Sequence, residues 1–183
     1  MDTLSDNALM LKVKNGDIDK MGLLYERYYR QLYRFIFNMT RQKELSEDMV
    51  QNIFLRMLKY PDGFIGFGEF KMWMYHIARN TVYDHFRKVK RTPSHSDVRD
   101  YEERIEGELH TDAPIEKEEE LKALETAMEK LSDENRELLI FCRFEELKYN
   151  EIAKILNTTE GAIKVRVHRA LNQLKSNYMR IVN

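Results

Sequence analysis

The 183-residue chain has room for one medium domain or two small ones; 43% apolar residues supply a core, and 33% charged residues imply small modules with much surface. No apolar run approaches the ~20 residues of a membrane-spanning helix, and the opening MDTLSDNALM is polar and acidic, so neither a spanning segment nor an export signal is expected. The net charge of −1 conceals a pattern: residues 1–92 carry 16 Lys/Arg against 11 Asp/Glu, residues 93–120 carry 3 against 11, and residues 121–183 carry 11 against 9. Two basic blocks around an acidic strip point to anionic partners for the blocks and another role for the strip.

Catalytic chemistry finds little support. Cys142 has no second cysteine for a disulfide or a zinc set; in the run LLIFCRF it reads as a buried core thiol, which suits a reducing cytoplasm. His76, His85, His95, His110 and His168 are dispersed, and neither HExxH nor a nucleophile elbow occurs. No enzyme, metal or cofactor is expected.

Apolar residues recur at three and four rather than two, which predicts an all-α chain. Helices are expected near 5–14, 18–39, 46–59, 70–90, 118–130, 133–144, 148–156 and 160–179. Ser46, Ser132 and Thr159 are placed to cap the third, sixth and last. Pro61, Gly63, Gly66 and Gly68 make PDGFIGFG a loop, and it is no P-loop, since no G-K-[ST] follows. Residues 93–117 hold Pro93, Pro114 and many acids, and read as a flexible acidic linker between domains at 1–92 and 118–183.

The helix over 46–59 is expected to bury Val50, Ile53, Phe54, Met57 and Leu58. It presents Asp48, Gln51, Asn52, Leu55 and Lys59 outward. One exposed leucine is ordinary, whereas a polar ring around it has the look of a docking patch.

In the helix over 70–90, Phe70, Trp73, Met74, Ile77 and Thr81 form the inner stripe. The outer face mixes Tyr75, His76, Arg79, Tyr83, Phe86, Arg87 and Lys90. Interleaved rings and cations can hold nucleic acid, because rings stack on unpaired bases while cations hold phosphates. Packing against another helix is the competing use of those rings, and it suits Trp73 best. The glycine-rich loop before this helix can let backbone approach a ligand.

The segment KYNEIAKILNTTEGAIKVRVHRALNQL has the form of a helix-turn-helix. Small Ala153 allows a close crossing after Ile152, and NTT makes the turn. On the second helix Ile163, Val167, Ala170, Leu171 and Leu174 share one stripe. Gly161, Lys164, Val165, His168, Arg169 and Asn172 face away. Basic side chains there can reach base edges in a major groove, while Arg166, on the flank of the stripe, suits a phosphate. A small solvated bundle with an idle charged face is the plain alternative.

Together, DMVQNIFLRM, FKMWMYHIARNTVYDHFRK and YNEIAKILNTTEGAIKVRVHRAL, in this order and spacing, resemble the extracytoplasmic-function branch of the sigma seventy family of polymerase sigma factors. The resemblance covers most of the chain outside residues 93–117. It implies a first domain that docks on core RNA polymerase through Asp48, Gln51, Asn52 and Leu55. That domain would melt and read the minus-ten element of promoter DNA through Tyr75, Arg79, Asn80, Tyr83, Arg87 and Lys90, with Asn80 near a pocket for a flipped base. It implies a second domain reading the minus-thirty-five element through Thr159, Lys164, Val165, Arg166, His168 and Arg169. By family habit it also implies an anti-sigma factor as a partner. The acidic linker would follow the positively charged RNA exit path. Two positions depart from the pattern: Asn52 stands where Glu is usual, removing a charge from the docking helix, and Asn157 stands where Gly is common.

A dimeric repressor or activator of duplex DNA is the competing reading. It leaves the tryptophan-bearing helix and the polar-ringed Leu55 without a use.

Overall fold

The computed structural model describes residues 4–66, 69–91 and 115–182. Among them are eight α-helices, one short 3-10 turn and no strand: α1 (Asp6–Lys14), α2 (Lys20–Thr40), α3 (Lys43–Lys59), the 3-10 turn Pro61–Gly63, α4 (Phe70–Arg91), α5 (Ile115–Glu129), α6 (Asp133–Arg143), α7 (Tyr149–Ile155) and α8 (Glu160–Val182). They fall into two compact units, one centred on α1–α4 and one on α5–α8. The linker expected over 93–117 lies outside the described residues as far as 114. Gly68 and the histidines at 95 and 110 lie outside them as well.

In the first unit, α1 is capped by Ser5, whose hydroxyl accepts from Ala8 N, and is closed by Gly16 at φ +98. Only a residue tolerant of left-handed backbone closes a helix this way. The long α2 buries Leu24, Leu32, Phe35 and Ile36 against its neighbours. The bounds of α1, α2 and α4 lie within two residues of those expected, and those of α3 do not. It begins three residues earlier than expected, at Lys43, and Ser46 does not cap it. Ser46 is fully buried one turn inside, donating from Oγ to Gln42 O at 2.5 Å and lying 3.0 Å from Thr40 Oγ1. A serine can satisfy itself on a backbone carbonyl one turn back, so it reads as a cap while sitting in a core.

The buried stripe of α4 also differs from the one the spacing suggests. Phe70, Met72, Met74, Tyr75, Ala78 and Val82 are inside, whereas Trp73, Ile77 and Thr81 are half-buried. Helices α1, α2 and α3 all pack on α4, so the buried arc is wide and centred on small Ala78, which weighs little in an apolar count. Trp73 does pack, with its ring centroid 5.4 Å from Phe64 and 6.1 Å from Phe70.

In the second unit, Ser132 caps α6 by accepting from Asn135 N, and Thr159 Oγ1 caps α8 by accepting from Ala162 N at 3.2 Å. Between α7 and α8 the chain turns at Asn157, φ +50, with Thr158 N bonded to Ala153 O and Asn157 N to Lys154 O. This pair of bonds closes a helix around a left-handed residue, a conformation Asn takes at small cost. The core joins Ile152, Ala153, Ile163, Val167 and Ala170 to Leu138, Ile140 and Phe141 of α6. Leu171 and Leu174, expected on the buried stripe, are half-buried. Cys142 is likewise half-buried rather than core, and burial pushes its thiol up to about 11, so it is protonated at neutral pH.

Candidate nucleic-acid interfaces and a docking surface

Helix α3 turns Met49, Val50, Ile53, Phe54 and Met57 inward and leaves Asp48, Gln51, Asn52 and Leu55 in solvent, with Leu55 64% exposed. Leu58, expected in the core, is 37% exposed and joins the same apolar surface. Its neighbours on the inner face already fill the seam with α2, where Tyr25 and Phe54 rings meet at 4.9 Å. Leu55 and Leu58 form one wall of a groove of about 550 Å³; Ile18, Gly22 and Tyr25 form the other. Ile18 is 64% exposed, and a Cβ on Gly22 would meet nothing within 4 Å. The α2 wall was missed in the sequence, although Ile18 in NGDIDK, an isolated apolar residue among polar ones, was its signal.

On α4 the candidate residues split. Tyr75 is fully buried, edge-on to Phe35 with centroids 5.5 Å apart, and so cannot stack on a base. It lies at i−4 from Arg79 on the helix; Phe35 of α2 covers Tyr75, whereas Arg79 is half-buried and Arg87 exposed. Arg79, Tyr83 and Arg87 continue the row outside the core. The Arg79 guanidinium lies 4.7 Å from the Tyr83 ring centroid, and Tyr83 meets Phe86 edge-on at 6.1 Å. Arg87 is ion-paired with Asp84. Asn80 and Lys90 are exposed. His85 is half-buried, and burial together with nearby Lys88 lowers its pKa, which favours the neutral ring. Lys88, Lys90 and Arg91 in the last turn also complement the helix dipole, so not all of this charge needs an anionic partner.

The loop before α4 is held from α1. Phe70 N donates to Asn7 Oδ1 at 2.7 Å, and Lys14 Nζ donates to Phe64 O at 3.2 Å.

On α8, Lys164, Val165, His168 and Arg169 are exposed on one face, with Val165 at 51%. Lys164 Nζ is 3.2 Å from Glu160 Oε1 in an exposed pair, which is worth little and is readily exchanged for a phosphate or base contact. Asn172 Nδ2 is 3.3 Å from His168 Nδ1. Arg166 is half-buried on the flank, as its spacing indicated. Thr159 is exposed at the N-terminus it caps.

Two helical units, one bearing a ring-and-cation helix beside an apolar groove and the other a helix-turn-helix with a basic second helix, define a nucleic-acid-binding protein. The family described as Sigma-70 region 2 matches residues 24–92, and Sigma-70, region 4 matches residues 121–174. The ECF RNA polymerase sigma factor SigM of Bacillus subtilis (strain 168) is 32% identical over 163 residues, spanning 87% of this chain and 96% of SigM. The chain belongs to the sigma-70 family, in its extracytoplasmic-function branch. In fold it is similar to CnrH, solved in complex with the cytosolic domain of CnrY (TM-score 0.70, 19% identity, 93% of this chain and 95% of that one). It is also similar to the sigma factor RpoE solved in complex with the anti-sigma factor NepR from Bartonella quintana (TM-score 0.66, 24% identity, 85% and 94%).

Proposed function

We propose that this chain binds core RNA polymerase, directs it to particular promoters and helps open the DNA, while the polymerase performs the chemistry. The observation that carries this reading is that both sigma regions occur in one chain, in order, each exposing a face suited to its task. Family membership sets aside the dimeric repressor. The first domain spans 1–92 and the second 118–183, with the acidic stretch between them running along a positively charged RNA path.

Docking centres on Leu55 and its polar neighbours Asp48, Gln51 and Asn52, and extends across the groove to Ile18. Burying one such side chain is worth on the order of 2 kcal/mol. Strand opening is driven by capture of unpaired bases: unstacking costs a few kcal/mol, offset by contacts from Asn80, Arg79, Tyr83, Arg87 and Lys90 to base edges, rings and phosphates. Tyr75 contributes by packing alone. Upstream, Lys164, His168 and Arg169 reach base edges, Val165 offers an apolar contact to a thymine methyl, and Arg166 and Thr159 hold backbone phosphates. An anti-sigma factor is a further partner, as the sigma factor RpoE, similar in fold, was solved in complex with one. The polymerase it serves places the protein in the cytoplasm, and no described helix is long and apolar enough to cross a membrane.

Fluorescence anisotropy with labelled DNA separates this reading from self-sufficient duplex recognition. The isolated chain should bind duplex minus-ten sequence poorly, and adding core polymerase should produce tight, sequence-dependent binding. Nanomolar duplex binding by the chain alone, unaltered by polymerase, would refute it.

A further inference from the structure

The outward face of α8 carries a row at four-residue spacing, Glu160, Lys164, His168 and Asn172, all exposed. The residues beneath and beside the row fix the helix. Ile163, Val167 and Ala170 are buried, and Gln173 Oε1 accepts from Asn135 Nδ2 of α6 at 2.8 Å. Side chains on a helix lean toward its N-terminus, so each member of the row reaches back to the one before it. Lys164 Nζ thus meets Glu160 Oε1 at 3.2 Å, and Asn172 Nδ2 lies 3.3 Å from His168 Nδ1.

The contact with Asn172 constrains the imidazole ring. The amide nitrogen of Asn can only donate, so Nδ1 is the acceptor and carries no proton. The proton of the neutral ring is therefore assigned to Nε2, the nitrogen further from the backbone. His168 then keeps Nδ1 engaged along its own helix and offers one N–H donor outward. A ring protonated on both nitrogens would set donor against donor at Asn172. A ring protonated on Nδ1 alone would present an acceptor instead. Lys164 and Arg169, on the same face, can only donate. His168 is the reading residue whose character its own chemistry leaves open, and there a neighbour can decide it.

We propose that Asn172 is a positioning residue for upstream-element recognition: it holds His168 in the tautomer that donates from Nε2, so that His168 selects guanine or thymine over cytosine. Guanine presents N7 and O6 in the major groove and thymine presents O4, all acceptors, whereas cytosine presents only its N4 donors. A histidine exchanging freely between tautomers satisfies either kind of edge and discriminates less, because specificity is a difference of affinities. The inference rests on reading α8 as the helix that enters the groove.

The test is transcription by core polymerase with the full-length chain from promoters randomised across the upstream element, with His168→Ala marking the position that His168 reads. There the wild-type chain should favour guanine or thymine over cytosine. Asn172→Ala should narrow that preference roughly fivefold, what one net hydrogen bond is worth, and leave the other upstream positions and the thermal midpoint unchanged. Asn172→Asp keeps the shape but can only accept, which requires the proton on Nδ1. At about pH 8.5, well above the ordinary imidazole value, it should move the preference toward cytosine. An undiminished preference in Asn172→Ala, or a loss spread over all upstream positions, would overturn the assignment. So would a wild-type preference kept by Asn172→Asp, or a His168→Ala chain that selects as wild type while Arg169→Ala relaxes selection. If neither His168→Ala nor Arg169→Ala alters any upstream position, the reading of α8 on which the inference rests is refuted instead.

Discussion

Arg56 of α3 donates from Nη1 to Thr81 Oγ1 of α4 at 3.0 Å, one residue past Leu55 on the docking helix and one residue past Asn80 on the reading helix. Thr81 Oγ1 donates in turn to Ile77 O at 2.9 Å, so its proton is committed to its own helix and a lone pair remains for Arg56. The surface proposed to hold polymerase and the residue proposed to read a base are thereby joined through two side chains. Replacing Thr81 with Val keeps the shape and removes both bonds. The expected loss in urea unfolding is at most about 1 kcal/mol, because the Arg56 contact is exposed. The preference at the base read by Asn80 should weaken several-fold, and polymerase affinity should not change.

Leu55→Asp addresses docking. Since Leu55 is 64% exposed, helix content and thermal midpoint should stay close to wild type. Polymerase affinity should fall by about thirtyfold, corresponding to the ~2 kcal/mol of one buried leucine. Ile18→Asp on the opposite wall of the groove should weaken binding in the same direction. Unfolding of Leu55→Asp in circular dichroism would show that the side chain is needed in the core.

The recognition helix separates reading from holding. Arg169→Ala should relax selection at one or two upstream positions by roughly 1–3 kcal/mol if it forks onto a guanine. Arg166→Ala should weaken all sequences alike and reduce the salt dependence by about one phosphate contact. Selection from a randomised upstream element distinguishes the two. A preference that changes only with Arg166 reverses the assignment.

Asn80 carries a donor and an acceptor on one exposed amide, which is what reading a released base edge requires. Asn80→Ala should lower the preference for one base at one downstream position on pre-melted templates and leave upstream selection untouched. Equal loss on every base would mark Asn80 as a support of local backbone.

Much of the architecture was legible because helices with one solvated face advertise their period. The outward faces of α3 and α8 followed from spacing, down to half-buried Arg166 beside exposed Lys164, Val165, His168 and Arg169, although Leu58, Leu171 and Leu174 lie further out than their spacing suggests. Helix α4 was less legible, since three helices pack on it and small Ala78 marks the centre of its buried arc; that is why spacing alone puts Tyr75 on the outside. Ser46 misled for a different reason, as a hydroxyl can bond its own helix as readily as it caps one. The long-range contacts left no local trace. Asn7 bonding Phe70 and Arg56 bonding Thr81 join residues 63 and 25 positions apart, and no periodicity encodes such pairs. Glu137 and Glu145, buried in the second unit, were hidden by their own charge.

Whether this chain gives a polymerase its promoter is measured most directly by in vitro transcription with purified core polymerase, with and without the chain, on a pool of genomic fragments, followed by sequencing of transcript 5′ ends. Start sites should appear only with the chain, share an upstream and a downstream element at fixed spacing, and disappear with Leu55→Asp. Unchanged start sites, or a chain that only represses starts made by core alone, would contradict that role.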